Sequence, residues 1–222
     1  MALIGSVFSQ DKAKVNPADT LKSKYLPTGL RLGTDLISII KSNVIPSFKG
    51  WEVNGDLDFY KYYLAVDYGY WARNYDLVNG NYQNSGDYFR VGIDLNFLLK
   101  DPDRNMFFFG FRYGHSSFRE SLSYTYADSV YGSSQNQYLI TKTGNNTGLS
   151  AHWIELTTGL RVKIWSGFWM GYTARLKFAP VIGGGKREFH SFDIPGYGLA
   201  EKSDYWGLDY QLFWRFPVRK IK

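Results

Sequence analysis

Cysteine is absent from all 222 residues. Its absence excludes a disulfide framework and any thiolate metal site. Long apolar runs are also missing. No stretch reaches the ~18 residues a membrane-spanning helix needs. Histidine is scarce, with only three copies, and no His or carboxylate cluster has metal-ligand spacing. Gly183–Lys186 ("GGGK") lacks the full phosphate-loop pattern and a following helix. No cofactor is therefore expected.

Aromatic residues are abundant, at 18% of the chain, alongside 23 glycines. The mean hydropathy of −0.32 looks like that of a soluble protein. A transmembrane barrel has the same average, because every second strand residue is polar.

The C-terminal stretch "YWGLDYQLFWRFPVRKIK" shows how the residues are arranged. Trp206, Leu208, Tyr210, Leu212, Trp214, Phe216 and Val218 share one parity; Tyr205, Gly207, Asp209, Gln211, Phe213, Arg215, Pro217 and Arg219 share the other. A strand sends successive side chains to opposite faces, so this is a strand with one apolar face. The same alternation recurs in Gly29–Lys41, Trp51–Phe59, Tyr62–Tyr75, Tyr88–Leu98, Met106–Ser117, Ser150–Ile164 and Trp169–Phe178. Tilted strands of ~10 residues match a bilayer. Short connections at Tyr60-Lys61, Leu99–Asn105 and Trp165–Phe168 alternate with longer ones at 42–50, 74–87, 117–149 and 179–204. Tyr60, Tyr62, Trp165, Trp169 and Trp206 cluster near strand ends, as interfacial girdles do.

The expected fold is therefore all-β: an eight-stranded antiparallel up-and-down transmembrane β-barrel over residues 29–222. Residues 10–28 form an N-terminal periplasmic segment. Met1–Phe8 is apolar and Val7-Phe8-Ser9 resembles the cleavage end of a secretory signal, so 1–9 reads as a remnant of one. The soluble competitor is a lipocalin-like barrel, which would turn its apolar face inward.

On this parity the lumen receives Arg31, Arg73, Arg90, Arg112, Arg161, Lys163, Arg175, Lys177 and Arg215. It also receives Asp35, Glu52, Asp56, Asp58, Asp67, Asp94, Glu155 and Asp209. The two signs nearly balance. An eight-stranded barrel is only wide enough for its own side chains, so a structural ion-pair core is expected rather than a pore. The net charge of +6 comes from the tails, through Lys12, Lys14, Lys22, Lys24, Arg219, Lys220 and Lys222. Basic residues that alternate into a lumen or lie in tails do not describe a nucleic-acid surface. Outer-membrane lipid is the expected surrounding.

Two features bear on function. His115 and Ser117 share a strand face in "GHSSF", and His152 lies on the apolar parity near the external end of its own strand, able to stand beside His115. A His base beside a Ser resembles the arrangement in outer-membrane lipid A deacylases, but Glu120, the local carboxylate, has the opposite parity. Phe118, Leu122, Tyr124 and Tyr126 continue one alternating face into the longest loop. They predict a protruding two-stranded ribbon with exposed aromatics, fit for a protein partner; the basic tails are a second possible contact.

"YLPTGLRLGTDL" (Tyr25–Leu36), "GFRYGHSSF" (Gly110–Phe118), "LSAHWIEL" (Leu149–Leu156) and "DIPGY" (Asp193–Tyr197) occur in that order. Together they resemble an uncharacterised family of Gram-negative outer-membrane barrels known by a domain-of-unknown-function label. The resemblance runs from about Tyr25 to the C-terminus and implies fold and location, with no catalytic residues to carry over. Some small barrels serve as accessory subunits of envelope machines, which makes a structural or accessory subunit of an assembly or secretion complex the leading expectation. A rim His/Ser hydrolase and a soluble ligand binder are the alternatives.

Overall fold

A computed structural model describes residues 26–129 and 137–218. The expected signal remnant, most of the N-terminal segment and the basic tails lie outside the described residues.

Eight strands close into one antiparallel barrel. They are β1 (Gly29–Asp35), β2 (Phe48–Phe59), β3 (Tyr62–Leu77), β4 (Gly80–Asn96), β5 (Met106–Ser129), β6 (Gln137–Trp165), β7 (Phe168–Gly183) and β10 (Asp204–Pro217). Each strand pairs with its sequence neighbour, and β1 closes on β10 with Gly29 opposite Pro217 and Asp35 opposite Gln211. Both described chain ends therefore lie at one end of the barrel, together with the tight turns at Tyr60-Lys61 and Ser166-Gly167. The far end carries helix α1 (Leu36–Val44), the long hairpin of β5 and β6, and a loop containing the small hairpin β8 (Asp193–Ile194) and β9 (Gly198–Leu199).

The parity reading holds along the strands, and the polarity is inside out. Leu208 is 58% exposed and Trp206 is 67% exposed on the outer wall, while Arg112 and Arg175 are fully buried within. This is the reverse of a lipocalin-like barrel.

Several expected boundaries differ. The first strand stops at Asp35, not Lys41. Asp35 instead caps α1: its carboxylate accepts from the backbone N–H of Ile37 and Ser38 and from the Ser38 hydroxyl. The expected loop 42–50 is thus the end of a helix and the start of β2. The loop expected over 74–87 is a strand hairpin, with β3 and β4 paired up to Leu77 and Gly80 around the two-residue turn Val78-Asn79. Trp169 belongs to no girdle. It is buried in the lumen under the Arg31 guanidinium, 5.5 Å from its ring centre.

Candidate functional site

The lumen is built from side chains that point inward from opposite walls. Near the end that carries the described chain ends, Asp56 of β2 accepts from Arg31 Nε at 2.7 Å and from Arg161 Nη1 of β6 at 2.6 Å. The aromatic floor below them is Tyr63, Phe108 and Phe213, whose rings face these two guanidinium groups at 4.7–4.9 Å. At mid-height Asp67 of β3 meets Arg112 and, at 3.1 Å, Arg175 of β7. Asp94 accepts from Arg112 at 2.9 Å and from Arg161 at 3.3 Å. Arg90 bridges Glu52 at 2.8 Å and Glu155 at 3.1 Å, and Arg175 also reaches Glu155 at 3.1 Å and Asp209. Each of these carboxylates and guanidinium groups has partners of opposite sign, which offsets the desolvation that would otherwise expel it.

Other expected lumen residues lie elsewhere. Lys163 is outside this network; it pairs with Asp103 at the lip, both exposed. Arg215 and Asp58 pair at 2.9 Å at the same lip. Arg73 reaches Asp193 at 3.4 Å at the far mouth. Asp35 belongs to the α1 cap, where it also accepts from the Tyr210 N–H at 3.0 Å.

The far mouth is closed by the segment read as an external loop, 179–204. It turns into the barrel, and Asp193, Ile194, Tyr197 and their neighbours are buried. "DIPGY" makes a type II turn: Pro195 and Gly196 occupy its centre, the Tyr197 N–H donates to Ile194 O at 3.0 Å, and Gly196 has φ +81°. A side chain at Gly196 would run into the Tyr88 ring. Lys177 Nζ donates to the Gly196 and Tyr197 carbonyls at 2.7 and 2.9 Å, and Asn84 donates to the Asp193 carbonyl at 2.8 Å. Tyr88, Phe118, Leu149, Trp153, Ile194 and Tyr197 form the apolar core of this plug.

The projecting sheet follows from the same registers. β5 and β6 continue together to Ser129 and Gln137, giving the ribbon that the alternation predicts. A ribbon of two strands alone would have two free edges, but β4 pairs with β5 as far as Tyr124, so the projecting base has three strands. Phe118 is also corrected as a partner residue, because it is 5% exposed in the plug core. Above it, Glu120 accepts from the Phe192 N–H at 3.0 Å, and Asn146 binds the backbone of Glu188 and Phe189. The loop thus covers the base of the ribbon. Tyr124, 41% exposed, stacks on Tyr126 with ring centres 5.9 Å apart.

The outer wall carries the third cluster. His115 and His152 are register partners on β5 and β6. Their Nδ1 atoms are 3.2 Å apart, Tyr113 Oη touches His152 Nδ1, and Ser117 Oγ is 3.3 Å from His115 Nε2. Glu120 faces the interior, held by the Tyr82 hydroxyl at 2.5 Å, and gives these imidazoles no carboxylate. Beside the cluster lies an outward cavity of about 420 Å³ lined by Tyr70, Ser85, Asp87, Ser117, Arg119 and Ser150. The sequence reading missed Tyr113, although its odd-numbered parity matches that of His115.

Among solved structures, the chain is similar to the crystal structure of Acinetobacter baumannii CarO2, with 9% identity and a TM-score of 0.39 over 86% of this chain and 98% of that one. No curated protein matches the sequence. The family described as Domain of unknown function (DUF6048) matches residues 1–221, nearly the whole chain, and the protein belongs to that family.

Proposed function

We propose that this protein is an integral barrel of a bacterial outer membrane that conducts nothing and serves as a structural or accessory component of a larger envelope complex. The observation that carries this reading is the bracing of opposite walls by charge pairs on the barrel axis, Arg175 to Asp67 and Arg161 to Asp56. A pore needs its charges on the wall with room between them; here they meet in the middle. The apolar outer wall supports a lipid surrounding. The projecting sheet supports protein contact: Tyr124 and Tyr126 stand above the plug, and among the described residues the part of β6 before Thr147 has no neighbouring strand on its outer edge. Membrane fractionation followed by planar-bilayer recording tests the reading. The protein should fractionate with the outer membrane and give no stable current. A soluble periplasmic protein, or an ion-selective current altered by Arg112→Ala, overturns it.

One observation favours a second reading, a lipid-modifying hydrolase: Ser117 Oγ is 3.3 Å from His115 Nε2 on the outer wall near the far mouth. Two features oppose it. The His115 Nδ1 atom faces another imidazole, not a carboxylate, and both residues belong to paired strands whose backbone N–H groups are used in the ladder. Ser117→Ala should leave lipid acylation unchanged by mass spectrometry. Loss of an acyl-chain cleavage in that variant would establish the hydrolase instead.

A further inference from the structure

His115 and His152 are separated by 37 positions in the chain, so no local motif joins them. The β5–β6 register does. It sets the two imidazoles side by side, with ring centres 4.5 Å apart and Nδ1 atoms 3.2 Å apart. The arrangement leaves a proton problem. A ring nitrogen offers either one N–H or one lone pair. His152 Nδ1 is approached by both the Tyr113 hydroxyl and His115 Nδ1, so one nitrogen is asked to serve two partners.

We infer that the His115–His152 pair on the outer wall is a binding site for a divalent transition metal, with zinc the best fit. The separation of the two nitrogens is the argument. Zinc holds imidazole nitrogen at ~2.0–2.1 Å in tetrahedral geometry, and two such ligands then stand about 3.3 Å apart. A square-planar ion such as Cu(II), with ligands at right angles and similar bond lengths, brings neighbouring nitrogens to about 2.8–2.9 Å. The observed 3.2 Å, which is also the span of an N–H···N hydrogen bond between the two rings, accommodates the tetrahedral arrangement without moving either ring far. Imidazole is the ligand type shared by zinc, copper and nickel sites. An ion between the rings would satisfy both Nδ1 atoms at once and leave the Tyr113 hydroxyl as a neighbouring oxygen donor.

The surroundings suit an accessible, exchangeable ion. Among the described residues no group of three or more His, Asp or Glu side chains is placed to hold a metal. Two protein nitrogens therefore leave the remaining coordination positions to water or to an anionic oxygen from outside. Ser117 Oγ lies 3.3 Å from His115 Nε2 and can fix the ring orientation through its second nitrogen. The Phe89 ring, 5.2 Å from the His115 ring, walls the other side.

The test is zinc chloride titrated by calorimetry into the folded barrel in detergent micelles. One saturable site per barrel is expected for the wild type and for His190→Ala, which removes the histidine outside the cluster. The site should be lost in His115→Ala and in His152→Ala. Retention of the heat-modifiable gel band would show that both variants are folded. Both substitutions lie on the outer wall, so the lumen network that holds the barrel is untouched. Absence of saturable zinc binding in the wild type overturns the inference, as does binding of equal strength in the folded His115→Ala/His152→Ala double variant. Neither result bears on whether the barrel conducts.

Discussion

Arg175 on β7 and Asp67 on β3 are 3.1 Å apart, although their strands are diametrically opposite in the eight-stranded ring. The same guanidinium also faces Glu52, Glu155 and Asp209. Removing it leaves three buried carboxylates and the part-buried Asp209 short of a cation. Arg175→Ala should destabilise the barrel by about 3–5 kcal/mol, read as a lower urea midpoint in lipid vesicles.

The outer wall makes an independent prediction. Leu208 is on the exposed apolar face of β10, so Leu208→Arg should lower stability by about 2–4 kcal/mol if it lies near the bilayer midplane. Val78→Arg in the β3–β4 turn, beyond the barrel wall, should change it little. Equal effects in vesicle unfolding would contradict a lipid belt at Leu208.

Closure of the barrel is layered. Replacing residues 186–200 with a short Gly-Ser linker removes the plug at the far mouth but leaves the pairs of Asp67, Asp94 and Asp56 in place below it. Planar-bilayer recordings should stay silent in this variant. A steady current would show that the loop alone seals the barrel.

Glycines on the inner wall make room for the large side chains opposite them. A Cβ at Gly114 would fall inside the Trp153 indole, whose Nε1–H donates to Glu155 at 2.7 Å. Gly114→Ala should therefore reduce assembled barrel on semi-native gels, whereas Gly55→Ala, where the added carbon meets only ordinary contacts, should not.

The ribbon can be altered without touching the barrel. Tyr124→Asp with Tyr126→Asp should leave the heat-resistant band intact and weaken any complex recovered from native membranes in mild detergent. A recovered complex that is unchanged would remove the ribbon from the contact.

Much of this architecture was legible because a strand has a period of two. Arg31, Asp56, Asp67, Arg112 and Arg175 could be assigned inward from parity alone. The misread segments each have a physical cause. Around Asp35 the alternation was already failing at Ile37 and Ile39, and Asp35 with Ser38 three residues on was a helix start rather than a strand interior. Residues 74–87 are rich in Asn, Asp and Gly, which reads as loop, yet Asn79-Gly80 was a hairpin signal within it. Trp169 has the polar parity; its chemical type suggested a girdle, its position the lumen. The plug was beyond reach, because nothing in "DIPGY" says whether its turn faces water or the barrel interior. The His115–His152 contact depended on a register, which needs the partner strand to be placed.

The short strand β1 carries a consequence for how the chain becomes a barrel. Every other barrel pairing joins barrel strands that follow one another along the chain, most through hairpins of low loop-closure cost. The seam joins Gly29 to Pro217, across almost the whole described chain, with only seven register pairs. Long-range pairings form late because their entropy is lost before their contacts accumulate. Asp35 links this seam to α1: one carboxylate caps the helix and accepts from the Tyr210 N–H of β10. Helix formation and ring closure are thereby coupled, because a backbone N–H of β10 shares the carboxylate that caps α1.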